Sequence, residues 1–130
     1  MNRFERSLGI RNLVCGSCNG CEHEMNALAG PDYDITALGW DIVASPRHAD
    51  VITVTGPMTE AMEVPSQETV EAAARPRVIV AIGDCAVGTG AWSNDGSGAG
   101  TWLGAAVNVV GCPPSPAAII DSLARAAKLL

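Results

Sequence analysis

The chain has no concentration of positive charge. Its eight Lys and Arg residues are scattered among fourteen Asp and Glu, leaving a formal net charge of −6 over 130 residues. Phosphate recognition needs a clustered basic face, so nucleic acid is excluded as a partner. Long apolar runs are also missing. The run Val78-Ile79-Val80-Ala81-Ile82 is far short of the roughly 20 residues that a membrane-spanning helix needs. The opening "MNRFERSLGIRNL" carries charges but no apolar stretch of the secretory kind. A cytoplasmic setting is therefore expected, where thiols stay reduced and grouped cysteines mean metal or redox work more often than disulfides. Five cysteines leave at least one over from any full pairing, and a domain of this length buries enough surface to fold without cross-links. No repeat, linker or charge block marks a second unit, so residues 1–130 are expected to form a single domain.

What the chain does have is alternation. "GIRNLV", "LGWDIVAS", "DVITVTG", "RVIVAIG" and "AAVNVVG" read as strands, the second-last as the clearest buried one. Helical stretches lie between them. "GCEHEMNALAG" is stopped by Gly30-Pro31, the stretch between Pro57 and Pro76 restarts near Pro65, and a C-terminal helix opens with Ser115 as N-cap and Pro116 at its first position. The glycine-rich segment "GTGAWSNDGSGAGTWLG" is expected to be one long loop. Continuous apolar strands alternating with helices imply an α/β, three-layer domain with a mostly parallel sheet.

The cysteines fall where such a sheet gathers ligands. Cys15, Cys18 and Cys21 follow the first strand, Cys85 follows "VIVAIGD", and Cys112 follows "VNVVG". Sites in open parallel sheets lie beyond the carboxyl ends of the strands, so three distant segments are expected to meet at one edge. Thiolates in that setting suit an iron–sulfur cluster or a structural zinc. Zinc sites more often draw on two Cys-x-x-Cys knuckles, whereas here one ladder joins two isolated cysteines set in Gly- or Pro-rich turns. Cys112-Pro113 is similar to the Cys-Pro that ends ferredoxin runs. An iron–sulfur cluster is the preferred reading of these residues, with zinc and unligated buried thiols as alternatives.

The segments "GSCNGCEHE", "ASPRHADVITVTGPMT", "AIGDCA" and "VVGCPPSPAAI" together resemble the small-subunit module shared by NiFe hydrogenases and the respiratory complex I 20 kDa subunit. The likeness is greatest to the complex I-related, group 4 hydrogenases. The resemblance implies a flavodoxin-like domain with one 4Fe-4S cluster at the carboxyl ends of the strands, held by Cys18, Cys21, Cys85 and Cys112. It leaves Cys15 as a small buried thiol outside the ligand set, with a substitute ligand or a redox-sensitive thiol as the alternative. It also implies an electron-transfer subunit lying beside the catalytic site of a large partner, hydrogenase-like or complex I-like. Electrons would be exchanged with a ferredoxin-type subunit, and any membrane attachment would come through other subunits. Glu24, three residues after Cys21, stands where the family tends to place a carboxylate, so proton coupling is one role for it and a helix surface the other. His23 is read as ordinary surface.

Arg47 and His48 in "SPRHAD" resemble a family segment near the large-subunit contact. A unit charge about 8 Å from a cluster, at an effective dielectric near 20, contributes roughly 2 kcal/mol, so Arg47 is a candidate for tuning the potential. The glycine-rich segment with Trp92 and Trp102 contains neither phosphate-loop pattern, which leaves a flavodoxin-type FMN site poorly supported. The opposing reading from another class is a zinc-bound or metal-free scaffold that organises partners. No nucleophile or general base in the chain would carry out bond chemistry alone.

Overall fold

A computed structural model of the chain describes Phe4 and residues 7–16, 18–89 and 98–130. Five strands, β1 (Leu8–Val14), β2 (Trp40–Ile42), β3 (Val51–Thr55), β4 (Val78–Ile82) and β5 (Val107–Val109), form one sheet. All four pairings are parallel and the order is β2-β1-β3-β4-β5. This is the flavodoxin-like order, with the direction of winding reversing between β1 and β3.

Alternation along the central strands sorts side chains onto two buried faces. Val51 of β3 and Val80 and Ile82 of β4 join Met25, Leu28, Ile119 and Leu123, which belong to α1 (Gly20–Ala27), its C-cap and α5 (Pro116–Leu129). Ile52 and Val54 of β3, with Ile79 and Ala81 of β4, instead meet Val70 of α2 (Glu63–Ala72), Ala86 of α3 (Asp84–Val87) and Ala99 of α4 (Ala99–Leu103). Helices therefore cover both sides, giving the three layers expected from the unbroken apolar runs.

Local sequence explains the helix ends. The Ser115 hydroxyl accepts from the Ala118 amide at 3.2 Å, and Pro116 occupies the first turn of α5, satisfying a donor that would otherwise be unpaired. Pro65 is the third residue of α2, inside the first turn, where its missing N–H breaks no helical bond. The glycine-rich segment departs from a simple loop. Residues 90–97, including Trp92, lie outside the described residues, but Ala99–Leu103 is a helix. A Cβ on Gly100 would stand 2.4 Å from the Ala81 side chain. The helix thus packs on β4 at a distance that only glycine permits, and this close packing outweighs glycine's poor helix propensity.

Ile52 is completely buried whereas Ile42 is 42% exposed. Ile52→Ala is expected to lower unfolding stability by about 2–5 kcal/mol, and Ile42→Ala by much less. Urea unfolding of the two variants beside the parent checks this.

Candidate metal centre

Four of the five strands, all but β2, feed a single cavity at one edge of the sheet. It has a volume of about 90 Å³ and is lined by Cys18, Gly20 and Cys21 after β1, Gly56 after β3, Asp84 and Cys85 after β4, and Gly111, Cys112 and Pro113 after β5. That is several times the roughly 10–15 Å³ that one water molecule requires. Cys18 and Cys112 are exposed, and Cys21 and Cys85 are half-buried, so the site opens at the surface.

Each thiol is placed by its own turn. Asn19 adopts a left-handed backbone (φ 76°) before α1 begins at Gly20, which separates Cys18 on the loop from Cys21 on the helix. Gly83 has φ +91°, and a Cβ there would lie 2.6 Å from the Cys21 sulfur. Only glycine lets the β4 turn pass beneath that thiol. The β4 and β5 turns are then laced together. The Gly83 amide donates to the Val109 carbonyl at 2.8 Å, the Asp84 amide to the Gly111 carbonyl at 2.9 Å, and the Gly111 amide to the Asp84 carboxylate at 2.7 Å. Asp84 thereby clamps the segment bearing Cys85 to the one bearing Cys112.

On the α1 side, the Thr55 hydroxyl at the end of β3 donates to the Glu22 carboxylate. Thr53, one pleat earlier, donates to the Asn12 side chain at 2.9 Å. Both threonines are fully buried, so these bonds satisfy hydroxyls that would otherwise be costly to bury. Glu22 also lies in the first turn of α1, where a carboxylate is favoured by the helix dipole.

The thiols crowd one another electrostatically. Burial pushes the Cys21 thiol up to about 12, and Glu22, Cys18, Cys112 and Cys85 push in the same direction in that order. Added positive charge in the cavity would favour the Cys21 thiolate. Among the described residues no three His, Cys, Asp or Glu side chains are grouped to hold a single metal ion. The four cysteines surround a space instead of converging on a point. Iron–sulfur clusters are held by four Cys thiolates, and the donor set lining this cavity fits such a group.

Cys15 is elsewhere. It packs fully buried on the α2 side of the sheet, its sulfur 3.4 Å from the Ser66 hydroxyl. Burial raises its pKa, with the Ser66 hydrogen bond acting in the opposite sense. Its carbonyl accepts from the Thr59 amide at 3.0 Å and the Thr59 hydroxyl at 2.9 Å, so this residue braces the turn after β3. Glu24 is half-buried on α1 and His23 exposed, and neither lines the cavity. Arg47 and His48 lie exposed on a 3-10 turn (Pro46–His48) that precedes β3. The cavity lies past the other end of that strand. Five residues of strand amount to about 13 Å, beyond the Debye length of roughly 8 Å at physiological salt. The structure therefore does not bring Arg47 or His48 to the cysteines. It adds three residues that spacing alone did not single out: Gly83, Asp84 and Glu22. The "IGDC" step from strand through glycine and acid to cysteine was the available signal for the first two.

Comparison with known proteins places the chain among relatives of the same fold. The family model for "NADH ubiquinone oxidoreductase, 20 Kd subunit" matches residues 18–126. Formate hydrogenlyase subunit 7 of Escherichia coli K12 is 34% identical over 133 residues, an alignment covering 100% of this chain and 52% of that protein; the chain thus spans about half its length. The probable membrane-bound hydrogenase subunit mbhJ of Pyrococcus furiosus is 34% identical over 128 residues, covering 96% of this chain and 77% of the relative. Among solved structures, a chain of the membrane-bound sulfane sulfur reductase, an archaeal respiratory membrane complex, superposes with a TM-score of 0.79 at 25% identity, covering 98% of this chain and 72% of the other.

Two measurements on the metal-free chain test the site's electrostatics. Cys21 holds its proton more tightly folded than unfolded, from an ordinary value of 9.0 to about 12. Its contribution to stability is therefore complete below about pH 9 and is lost as pH rises toward 12. The urea midpoint should fall across that window, and less steeply in Cys21→Ala. Alkylation at pH 8 followed by mass mapping should label exposed Cys18 and Cys112 well before buried Cys15.

Proposed function

The chain belongs to the NADH ubiquinone oxidoreductase 20 Kd subunit family, and from that premise we propose that it is the electron-transfer subunit of a multisubunit oxidoreductase. In this reading Cys18, Cys21, Cys85 and Cys112 hold one 4Fe-4S cluster next to the catalytic site of a large partner subunit. The observation that carries it is the cavity lined by these four cysteines from three strand ends. When bound, the cluster supplies reversible one-electron chemistry.

The chain's own residues supply the setting. The four thiolates would fix the cluster, Gly83 keeps the floor clear beneath Cys21, and Asp84 holds the Cys85 and Cys112 turns in register. Exposed Cys18 and Cys112 leave the rim of the site at the surface, where a partner's active site could approach within electron-transfer range. The single C-x-G-C step and the relatives named as hydrogenase subunits favour a NiFe hydrogenase-type partner, with a ferredoxin-type subunit at the other end of the electron path. A complex I-like partner shaping a quinone cavity is the second reading, supported by the family's description. No helix among the described residues is long and apolar enough to cross a membrane. A cytoplasmic position, with attachment to a membrane through other subunits, completes the proposal. Glu24 retains its proposed proton-coupling role on α1, and Arg47 and His48 a proposed role at a subunit contact.

Anaerobically isolated chain should contain about four irons and four sulfides and give an EPR signal on reduction. Serine at Cys18, Cys21, Cys85 or Cys112 should abolish or alter that signal, and Cys15→Ser should leave it unchanged. Zinc in place of iron, or no metal after anaerobic reconstitution, would replace this proposal with the scaffold reading. A changed signal in Cys15→Ser would overturn the ligand set.

A further inference from the structure

The wall of the cysteine cavity carries charge of one sign only. Its lining consists of four cysteines, three glycines, Pro113 and Asp84, with no Lys, Arg or His among them. The Asp84 carboxylate is half-buried and fixed by the Gly111 amide. A second half-buried carboxylate, Glu22, adjoins Cys21 and is tied to the buried Thr55 hydroxyl. The described Lys, Arg and His side chains lie outside that lining. Arg47 and His48 precede β3, Arg75 and Arg77 precede β4, Arg125 faces Asp121 on α5 at 3.9 Å, Lys128 is in the last turn of α5, and His23 is exposed on α1 beside Glu22. Arg11 lies within β1, its guanidinium donating to the Asn12 carbonyl at 2.6 Å.

We propose that Asp84 and Glu22 hold the potential of the bound cluster low, whichever one-electron carrier reduces it. This rests on the cluster reading above. Reduction adds one negative charge to a group already surrounded by thiolates. Cluster potentials respond to net charge, hydrogen bonding and exposure, and two carboxylates held in place beside the site oppose that added charge more strongly than mobile, solvated ones would. The carrier loses one electron and the cluster gains one; no bond is made or broken in that transfer. In this role Asp84 is a positioning and tuning residue rather than a ligand.

The test separates charge from scaffolding. Asp84→Asn keeps an acceptor oxygen for the Gly111 amide and removes the charge. Glu22→Gln does the same for Thr55 on a different element, so the test stands if one variant folds poorly. Full-length chain is reconstituted anaerobically with iron and sulfide, assayed for both, and titrated with redox mediators while EPR follows the reduced cluster. Each variant is expected to retain the parent's iron and sulfide and to shift the midpoint to more positive potential, with the double variant shifted further. Midpoints that stay unchanged or move negative with the cluster intact would overturn the proposal, because a purely structural clamp predicts no shift in the Asn and Gln variants. If the parent takes up no iron and sulfide, the cluster reading itself fails, and that is seen before any titration.

Discussion

Cys21 stands half-buried beside Glu22 and three other sulfurs in one small cavity, where its thiolate is disfavoured. The rest of the molecule is arranged around that constraint. Burial weighs most on Cys21, followed by Glu22, Cys18, Cys112 and Cys85, so Cys21 keeps its proton until positive charge is supplied. A metal group that supplies such charge reverses this preference, so binding would release protons and tie the loops together at once. The fold's task is to bring the four sulfurs to one cavity from three separate segments.

Parallel strand order accomplishes this at long range and hydrogen bonds at short range. Because β1, β3, β4 and β5 all run the same way, the segments that follow them emerge at one edge, although Cys18 and Cys112 are far apart in sequence. Close to the site, the paired bonds between Asp84 and Gly111 fix the β4 and β5 turns relative to each other, and the Thr55–Glu22 bond ties α1 to β3. The turns that carry the cysteines are thus supported by groups that are themselves buried or bonded. Such support orients ligands before a metal arrives.

Much of this was legible in the chain. The apolar runs "VITVT" and "VIVAI" identified buried central strands, and cysteines placed just after strands pointed to one edge of a parallel sheet. Ser115 and Pro116 marked the start of the last helix. What eluded sequence reading depended on packing between distant residues. Ala99–Leu103 looks like loop because two glycines flank it and a third lies inside it. It is helical because Gly100 lets it rest against Ala81. Arg47 is close in sequence to β3, and only the direction of that strand shows that it stands at the far end from the cysteines. Cys15 continues the three-residue ladder of Cys18 and Cys21, yet the pleat of β1 turns it toward Ser66 on the opposite face. The roles of Asp84 and Glu22 lie in bonds to Gly111 and Thr55, which no local pattern encodes.

Mössbauer spectroscopy on anaerobically prepared, iron-enriched chain most directly tests the central claim that these four cysteines enclose an electron-carrying cluster. The account predicts a single four-iron species with sulfur-coordinated iron sites whose spectrum changes on one-electron reduction. Mononuclear or two-iron spectra, or the absence of bound iron in protein that is otherwise folded, would contradict it.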